Sequence, residues 1–373
     1  MISEVQAIRP VRESAARSEP SPPRPHAPTP LTPLKPLKPL KRARNTLFKL
    51  LYRYTHSRAY QHNERLGFGV SIERDEAGRL AGMRIRGERV PCVNGMPMAA
   101  GRKAGTFSDN GECHLIATGP SINGIDYEAL DMRRAMGVNG AIALRRRFDV
   151  RFDYYCIVDA GFVRNHGELV DQIVAEPLTL FATPCVMWHI AQRCAPSRMR
   201  CRVFLLDEML FPAGRSALTT EQLDAQLLAA RDAAALAWFD ARRTLGFSLD
   251  IRRGVFEGRT VAYTGLQVLA SLGFSDIYVH GLDLVDAART PRFYEQPGAM
   301  QASQLDAHLR DVIAPSFRHA AALLRRRGVS VTNLSMHSAL GEDVMPKRAW
   351  ETLLRPTARH AMRETAPARA LVA

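Results

Sequence analysis

The sequence lacks most of the short signatures from which a site can be read directly. Its six cysteines (Cys92, Cys113, Cys156, Cys185, Cys194 and Cys201) include no Cys-x-x-Cys pair and no zinc-ligand spacing. Several fall inside apolar runs, where a free thiol behaves as a small hydrophobe, so reduced core cysteines in a cytosolic compartment are expected. No run of about 18 apolar residues occurs, which argues against a membrane-spanning helix, and no N-terminal apolar stretch resembles a secretory leader. Gly-x-Gly-x-x-Gly after a strand and Gly-x-x-x-x-Gly-Lys-[Ser/Thr] are both missing, disfavouring a dinucleotide site and a P-loop. His-Glu-x-x-His, an EF-hand loop and an Asp-x-Asp pair are missing too. Asp283 and Asp286 are too widely spaced to replace that pair. The sequence therefore predicts neither a metal nor a cofactor.

Charge of one sign is plentiful. The 51 Lys and Arg outnumber the 37 Asp and Glu, giving a formal net charge of +14. Such an excess favours an acidic partner: a phosphorylated substrate, an anionic membrane surface or nucleic acid. Nucleic acid is disfavoured because the basic residues are dispersed and no aromatic-interleaved motif accompanies them.

Ten of the 23 prolines lie in residues 1–40. Proline removes an amide donor and fixes φ, so this segment is expected to be a disordered tail, partly polyproline in character. In residues 41–62, Leu47, Leu50, Leu51 and Tyr54 fall at helical spacing among Lys and Arg. A basic amphipathic helix of this kind either lies on an anionic membrane or docks on the main domain with its charges in water. Residues 63–110 read as a small β-rich meander, with Gly69–Arg74 and Leu80–Arg86 extended around a turn at Asp75–Gly78. Residues 357–373 are read as a flexible tail.

Residues 111–356 alternate strand and helix patterns. Strands are predicted at 113–118, 135–139, 154–159, 178–183, 202–206, 276–283 and 329–333. Helices are predicted over 221–245, 259–272 and 302–327, the last interrupted near Pro315. This alternation predicts an α/β fold: a largely parallel, Rossmann-like sheet with helices on both faces. Ligands of such sheets sit at the carboxyl ends of the strands. There the chain carries Thr118, Gly119, Pro120 and Ser121, a turn expected to hold a phosphate of the ligand, then Asn139 and Gly140, then Asp159, then Gly281 and Asp283. Four strand ends bearing small or polar residues point to one shared crevice, with Asp159 and Asp283 as candidate catalytic carboxylates. Arg259 and Thr260 open a helix and are candidates for phosphate. Arg292 and Tyr294 add a guanidinium and a phenol, and His308 is a candidate base.

The strings HLIATGPSINGID, GVNGAIAL, YYCIVDAGFV, GRTVAYTGLQVLASLGFSDIYVHGLDL, RFYE and VTNLSMHSALGEDVMP resemble, in this order over residues 113–346, the WaaZ (RfaZ) lipopolysaccharide core biosynthesis family. More distantly they resemble bacterial sialyltransferases that use CMP-sialic acid. The resemblance implies a metal-independent glycosyltransferase acting at the cytoplasmic face of the inner membrane as a peripheral protein. It would transfer Kdo (3-deoxy-manno-octulosonic acid) from CMP-Kdo to a lipid A–core acceptor. By the same likeness Asn139 would meet the nucleotide, Thr260 the donor and Tyr294 the leaving phosphate, His308 falls where a His serves as base, and either His308 or Asp159 would deprotonate the acceptor hydroxyl. Val261 stands where the sialyltransferases have Ser, and Thr118 where they have Asn. The competing readings are a sialyltransferase or other CMP-sugar transferase, a nucleotide-dependent pyrophosphokinase, and a non-catalytic adaptor at the membrane surface.

Overall fold

The computed structural model describes residues 66–67, 69–94, 111–229, 235–240, 244–296, 298, 300–301 and 303–354. The expected tails and the basic segment 41–62 lie outside them. The first described segment folds into a three-stranded antiparallel sheet of β1 (Val70–Arg74), β2 (Leu80–Ile85) and β3 (Glu88–Arg89). Its first turn closes as the composition predicts: Gly78 takes φ +76°, and the Asp75 side chain accepts from the Arg79 amide at 2.8 Å. Arg74 ties this sheet to the rest of the chain. It donates to Asp207 at 2.7 Å and to the Ala213 carbonyl at 2.7 Å, with both charged side chains 13% exposed.

The main sheet has seven strands: β4 (Glu112–Ile116), β5 (Ala135–Val138), β6 (Tyr154–Ile157), β7 (Thr179–Ala182), β8 (Arg202–Leu205), and, after the hairpin of β9 (Leu236–Asp240) and β10 (Leu245–Ser248), β11 (Asp276–His280) and β12 (Ser330–Asn333). All neighbours are parallel, in the order β12-β11-β4-β5-β6-β7-β8. The edge at β8 is covered by the segment after β3. Val93 donates to the Val203 carbonyl, and the Asn94 amide bonds both the N–H and C=O of Leu205 at 2.8 Å. Covering an edge in this way blocks pairing with another chain.

Helices α1 (Ala160–Asn165), α2 (Gly167–Val174), α3 (Pro184–Ile190), α4 (Thr220–Ala229), α5 (Val261–Leu272), α6 (Leu305–His308) and α7 (Ala314–Arg326) connect or follow the strands. Strand residues alternate between two covered faces, as a parallel sheet requires. Leu115, Met136 and Cys156 face α5 and α7, whose Leu266, Leu269 and Phe317 share one core with them. On the opposite face Tyr155 is fully buried beneath the 3₁₀ segment Asn139–Arg146, donating to the Asn139 carbonyl and accepting from the Ile142 amide.

Two helix expectations change. The predicted helix 221–245 ends with α4, and residues 236–240 and 245–248 pair as an antiparallel hairpin. The Ala- and Leu-rich period is overridden by aromatic burial: Trp238 packs on Phe256 at 5.5 Å, and its neighbour Phe239 stacks on His319 of α7 at 5.0 Å. Alternating contacts of this kind need a strand. The predicted helix 302–327 breaks at a π-turn over Leu309–Ile313, just upstream of Pro315 in the first turn of α7. Proline there lacks an amide and crowds the preceding turn, which widens.

Beneath β4 and β11 lies a buried pair of imidazoles. His114 Nδ1 is 2.8 Å from His280 Nε2, and the Tyr127 hydroxyl is 3.2 Å from His280 Nδ1. Burial holds His114 down at about 4 and His280 well below the ordinary histidine value. Both are therefore neutral when folded, whereas an unfolded histidine binds its proton near pH 6.5. Between those values the unfolded chain holds more protons, so stability is present above pH 6.5 and lost as pH falls toward 4. For His114 the loss is on the order of 3 kcal/mol. Melting at pH 7 and pH 4.5 is expected to show a large drop in Tm for the wild type and a smaller one for His114→Gln. Equal drops would mean that other groups carry the acid sensitivity.

Candidate active site

Strands β5 to β8 are laid down on one side of β4, and β11 and β12 on the other. The connections leaving β4 and β11 therefore diverge and open a crevice at their carboxyl ends, the switch point where ligands of open α/β sheets bind. A cleft of about 350 Å³ occupies this place. Thr118, Gly119 and Pro120 line it after β4, Asn139 after β5, Asp159 after β6, and Gly281 and Asp283 after β11. Arg259 and Thr260 reach it from the amino end of α5, and Arg292 and His308 from the segment that returns over the cleft. Three candidates stand outside this lining. Ser121 turns its hydroxyl to Asp283, and Gly140 lies directly against the Tyr294 ring. Tyr294 itself packs edge-on against Phe162 at 6.4 Å and His166 at 5.2 Å.

The Gly119–Ser121 turn has spent its donors inside the protein. Gly119 N–H donates to the Gly281 carbonyl at 2.8 Å, Pro120 has none, and Ile122 N–H returns to the Gly119 carbonyl. Ser121 gives Asp283 both its amide, at 2.8 Å, and its hydroxyl, at 2.5 Å. Gly281 reaches this arrangement with φ +66°. Both Asp283 oxygens are thereby engaged, and the turn offers no amide to an anion.

Unspent donors lie at α5. Thr260 occupies the N-cap position, yet its hydroxyl makes no capping bond. Val261 and Ala262 line the cleft with first-turn amides that have no intrahelical acceptor. The positive end of the helix dipole adds to them. Arg259 sits at the mouth, half-exposed, with Nη1 3.3 Å from Glu257. Across the cleft Asn139 adopts φ +44°, and its side-chain oxygen is buried without a partner. A buried acceptor left unpaired is costly and suits a ligand that brings an N–H or O–H.

The two candidate bases differ in their engagement. Asp159 caps α1 through the Gly161 amide at 2.6 Å and accepts from the Gln301 side chain at 3.4 Å. His308 ends α6, which Asp306 ties to the amides of Ala287 and Ala288. Among the described residues the His308 ring has no hydrogen-bond partner. Arg292 Nη1 donates to Glu295 at 2.8 Å and to the Gln301 carbonyl at 3.2 Å, fixing the returning segment. Six described non-glycine residues have positive φ, and three of them, Asn139, Arg259 and Leu284, line this cleft. Strain concentrated in this way is typical of ligand sites.

The cleft also contains residues that sequence reasoning passed over: Glu257, Thr264, Gln301 and Gln304. Thr264 was within reach, since four residues after Thr260 it falls on the same helix face. Gln301 and Gln304 lie outside strand ends and carry no such signal. Among the described residues no cluster of three or more His, Cys, Asp or Glu is placed to hold a metal ion. Nor is any helix among them long and apolar enough to cross a membrane.

A probable 3-deoxy-manno-octulosonic acid transferase of Salmonella typhimurium (strain LT2) is 35% identical over 107 residues, covering 28% of this chain and 37% of the relative. One from Escherichia coli (strain K12) is 31% identical over 104 residues, covering 28% and 35%. The chain thus matches little more than a third of the length of these curated relatives. The solved structure of the MAf glycosyltransferase from Magnetospirillum magneticum AMB-1 aligns with a TM-score of 0.39 at 15% identity, over 69% of this chain and 37% of that one. The family model described as 3-deoxy-D-manno-octulosonic acid transferase WaaZ matches residues 106–349. That span exceeds half of the chain and contains every strand that lines the cleft, so the chain belongs to the WaaZ family.

Proposed function

We propose that this chain is a glycosyltransferase of lipopolysaccharide inner-core assembly that transfers Kdo from CMP-Kdo to a lipid A–core acceptor. The observation that carries the reading is the family match over the whole cleft-bearing sheet. The donor's nucleotide lies against Asn139, whose unpaired side-chain oxygen suits an amine or hydroxyl of the nucleoside. Its phosphate lies at the amino end of α5, where Thr260, the Val261 and Ala262 amides and Arg259 converge. This departs from the expectation that the Gly119–Ser121 turn holds the phosphate; in this reading the turn and Asp283 shape the floor of the site.

In the transfer step the acceptor hydroxyl gives its proton to His308 and its oxygen bonds to the anomeric carbon. The bond from that carbon to the phosphate oxygen breaks, and CMP leaves with its negative charge met by α5 and Arg259. Fixed dipoles and a guanidinium carry out the stabilisation, with no metal required. The net charge of +14 supports an anionic donor, an anionic acceptor and peripheral residence on the cytoplasmic face of the inner membrane.

The test is to incubate purified protein with CMP-Kdo and Kdo-lipid A and to follow CMP. Acceptor-dependent CMP release is expected. Release no greater than in the acceptor-free control would sink the proposal. Consumption of CMP-sialic acid instead would move the chain to the sialyltransferase reading, and consumption of ATP with Mg²⁺ to the pyrophosphokinase one. Vesicle binding without turnover on any donor would favour the adaptor.

A further inference from the structure

The segment from Asn333 to Lys347 does not line the cleft, yet it is bonded to the loop that does. Ser335 is fully buried, and its hydroxyl lies 2.9 Å from the Ser121 hydroxyl. Ser121 has one hydroxyl proton, and its 2.5 Å contact with Asp283 places that proton toward the carboxylate, which only accepts. Ser335 is therefore the donor in the second bond, and the direction of the chain is Ser335 to Ser121 to Asp283.

The same segment grips the Asp283 loop at three further points. Ser338 Oγ donates to the Leu282 carbonyl at 2.6 Å, the Asn333 side chain to that carbonyl at 3.4 Å, and the Ala339 amide to the Asp283 carbonyl at 2.7 Å. The segment is itself pinned: the Ser335 amide donates to the Asn333 side chain at 3.0 Å, and Lys347 bonds the Met336 and Ser338 carbonyls.

We propose that Ser335 is a positioning residue of the site, fixing the Gly119–Ser121 turn and Asp283 through the Ser121 hydroxyl. The inference rests on the reading above only in naming the nucleotide used to probe it. Neutral hydrogen bonds of this kind are worth about a five- to tenfold shift in an equilibrium.

The experiment compares wild type, Ser335→Ala, Ser121→Ala and the double variant, with Ser316→Ala as the control that removes a buried hydroxyl from α7. Amide exchange over residues 119–122 is expected to speed up about five- to tenfold in Ser335→Ala, with β5 and β6 as protected as in the wild type. CMP affinity, measured by calorimetry, is expected to weaken by a similar factor. The double variant should be no worse than Ser121→Ala alone, because both substitutions cut one chain. Ser316→Ala should change none of these readouts. Unchanged exchange at residues 119–122 in Ser335→Ala would overturn the inference. Additive effects in the double variant would overturn it too. If Ser335→Ala does not fold, Ser121→Ala cuts the link from the other side, and wild-type exchange over residues 119–122 in that variant decides against the inference. A wild type that binds no CMP would count against the proposed donor, while the exchange data still decide the role of Ser335.

Discussion

Replacing His308 by alanine is expected to lower the rate of the proposed Kdo transfer by about 10²- to 10⁴-fold, the range for loss of a general base. CMP affinity should stay within about twofold of the wild type, because the proposed nucleotide contacts lie on Asn139 and α5. The argument is one of engagement. Both oxygens of Asp159 are occupied, one capping α1 and the other facing Gln301. His308 lines the same cleft, and among the described residues its ring has no hydrogen-bond partner. Its place is fixed through the backbone of α6, which Asp306 anchors, and the π-turn follows at the next residue. Steady-state rates for His308→Ala and Asp159→Asn check the assignment. A His308→Ala enzyme retaining more than a tenth of wild-type kcat, beside a far slower Asp159→Asn, would move the base to Asp159.

The seven-stranded sheet is legible because the burial of its strands is written into composition. Cys113–Ile116 and Tyr155–Ile157 are buried on both faces, and a continuous apolar run between turn residues has few other uses in an α/β chain. The cleft is legible for a related reason: the residue following a parallel strand faces the ligand side, so Gly119, Asn139, Asp159 and Gly281 could be placed together without coordinates.

What stayed hidden is what depends on partners distant in sequence. The hairpin β9–β10 has a helical local pattern, and only the packing of Trp238 and Phe239 on opposite sides makes it a strand. The commitment of Ser121 to Asp283 joins residues 162 positions apart, and the bond to Ser335 joins residues 214 apart. A Gly-Pro-Ser turn reads as an anion cradle when its amides are counted as free. Here the fold has used them, and the free amides are at α5. Gly119 and Pro120 do line the cleft, and in the proposed reading the phosphate is met by the helix opposite.

Gly119→Ala is expected to abolish most activity and to weaken the fold. A Cβ at this position would lie 2.7 Å from the Gly281 carbonyl oxygen and would meet the Asp283 carboxylate. Neither can withdraw cheaply. The carbonyl is backbone, bonded to Gly119 N–H, and the carboxylate is held by the Ser121 amide and hydroxyl. Relief requires β4 and β11 to part at the point where the cleft opens. Overpacking of this kind costs about 1–3 kcal/mol, and for a chain of this size each kcal/mol lowers Tm by about 1–2 °C. A displacement of the site by about 1 Å costs on the order of 10²-fold in rate. Gly124 provides the control on the same 3₁₀ turn, since nothing lies within 4 Å of the Cβ it would carry. Gly124→Ala is expected to stay within about 0.5 kcal/mol of the wild type. Thermal melts and transfer rates of the two variants check this, and a Gly119→Ala protein as stable and active as Gly124→Ala would show that the two loops are not locked together as the geometry requires.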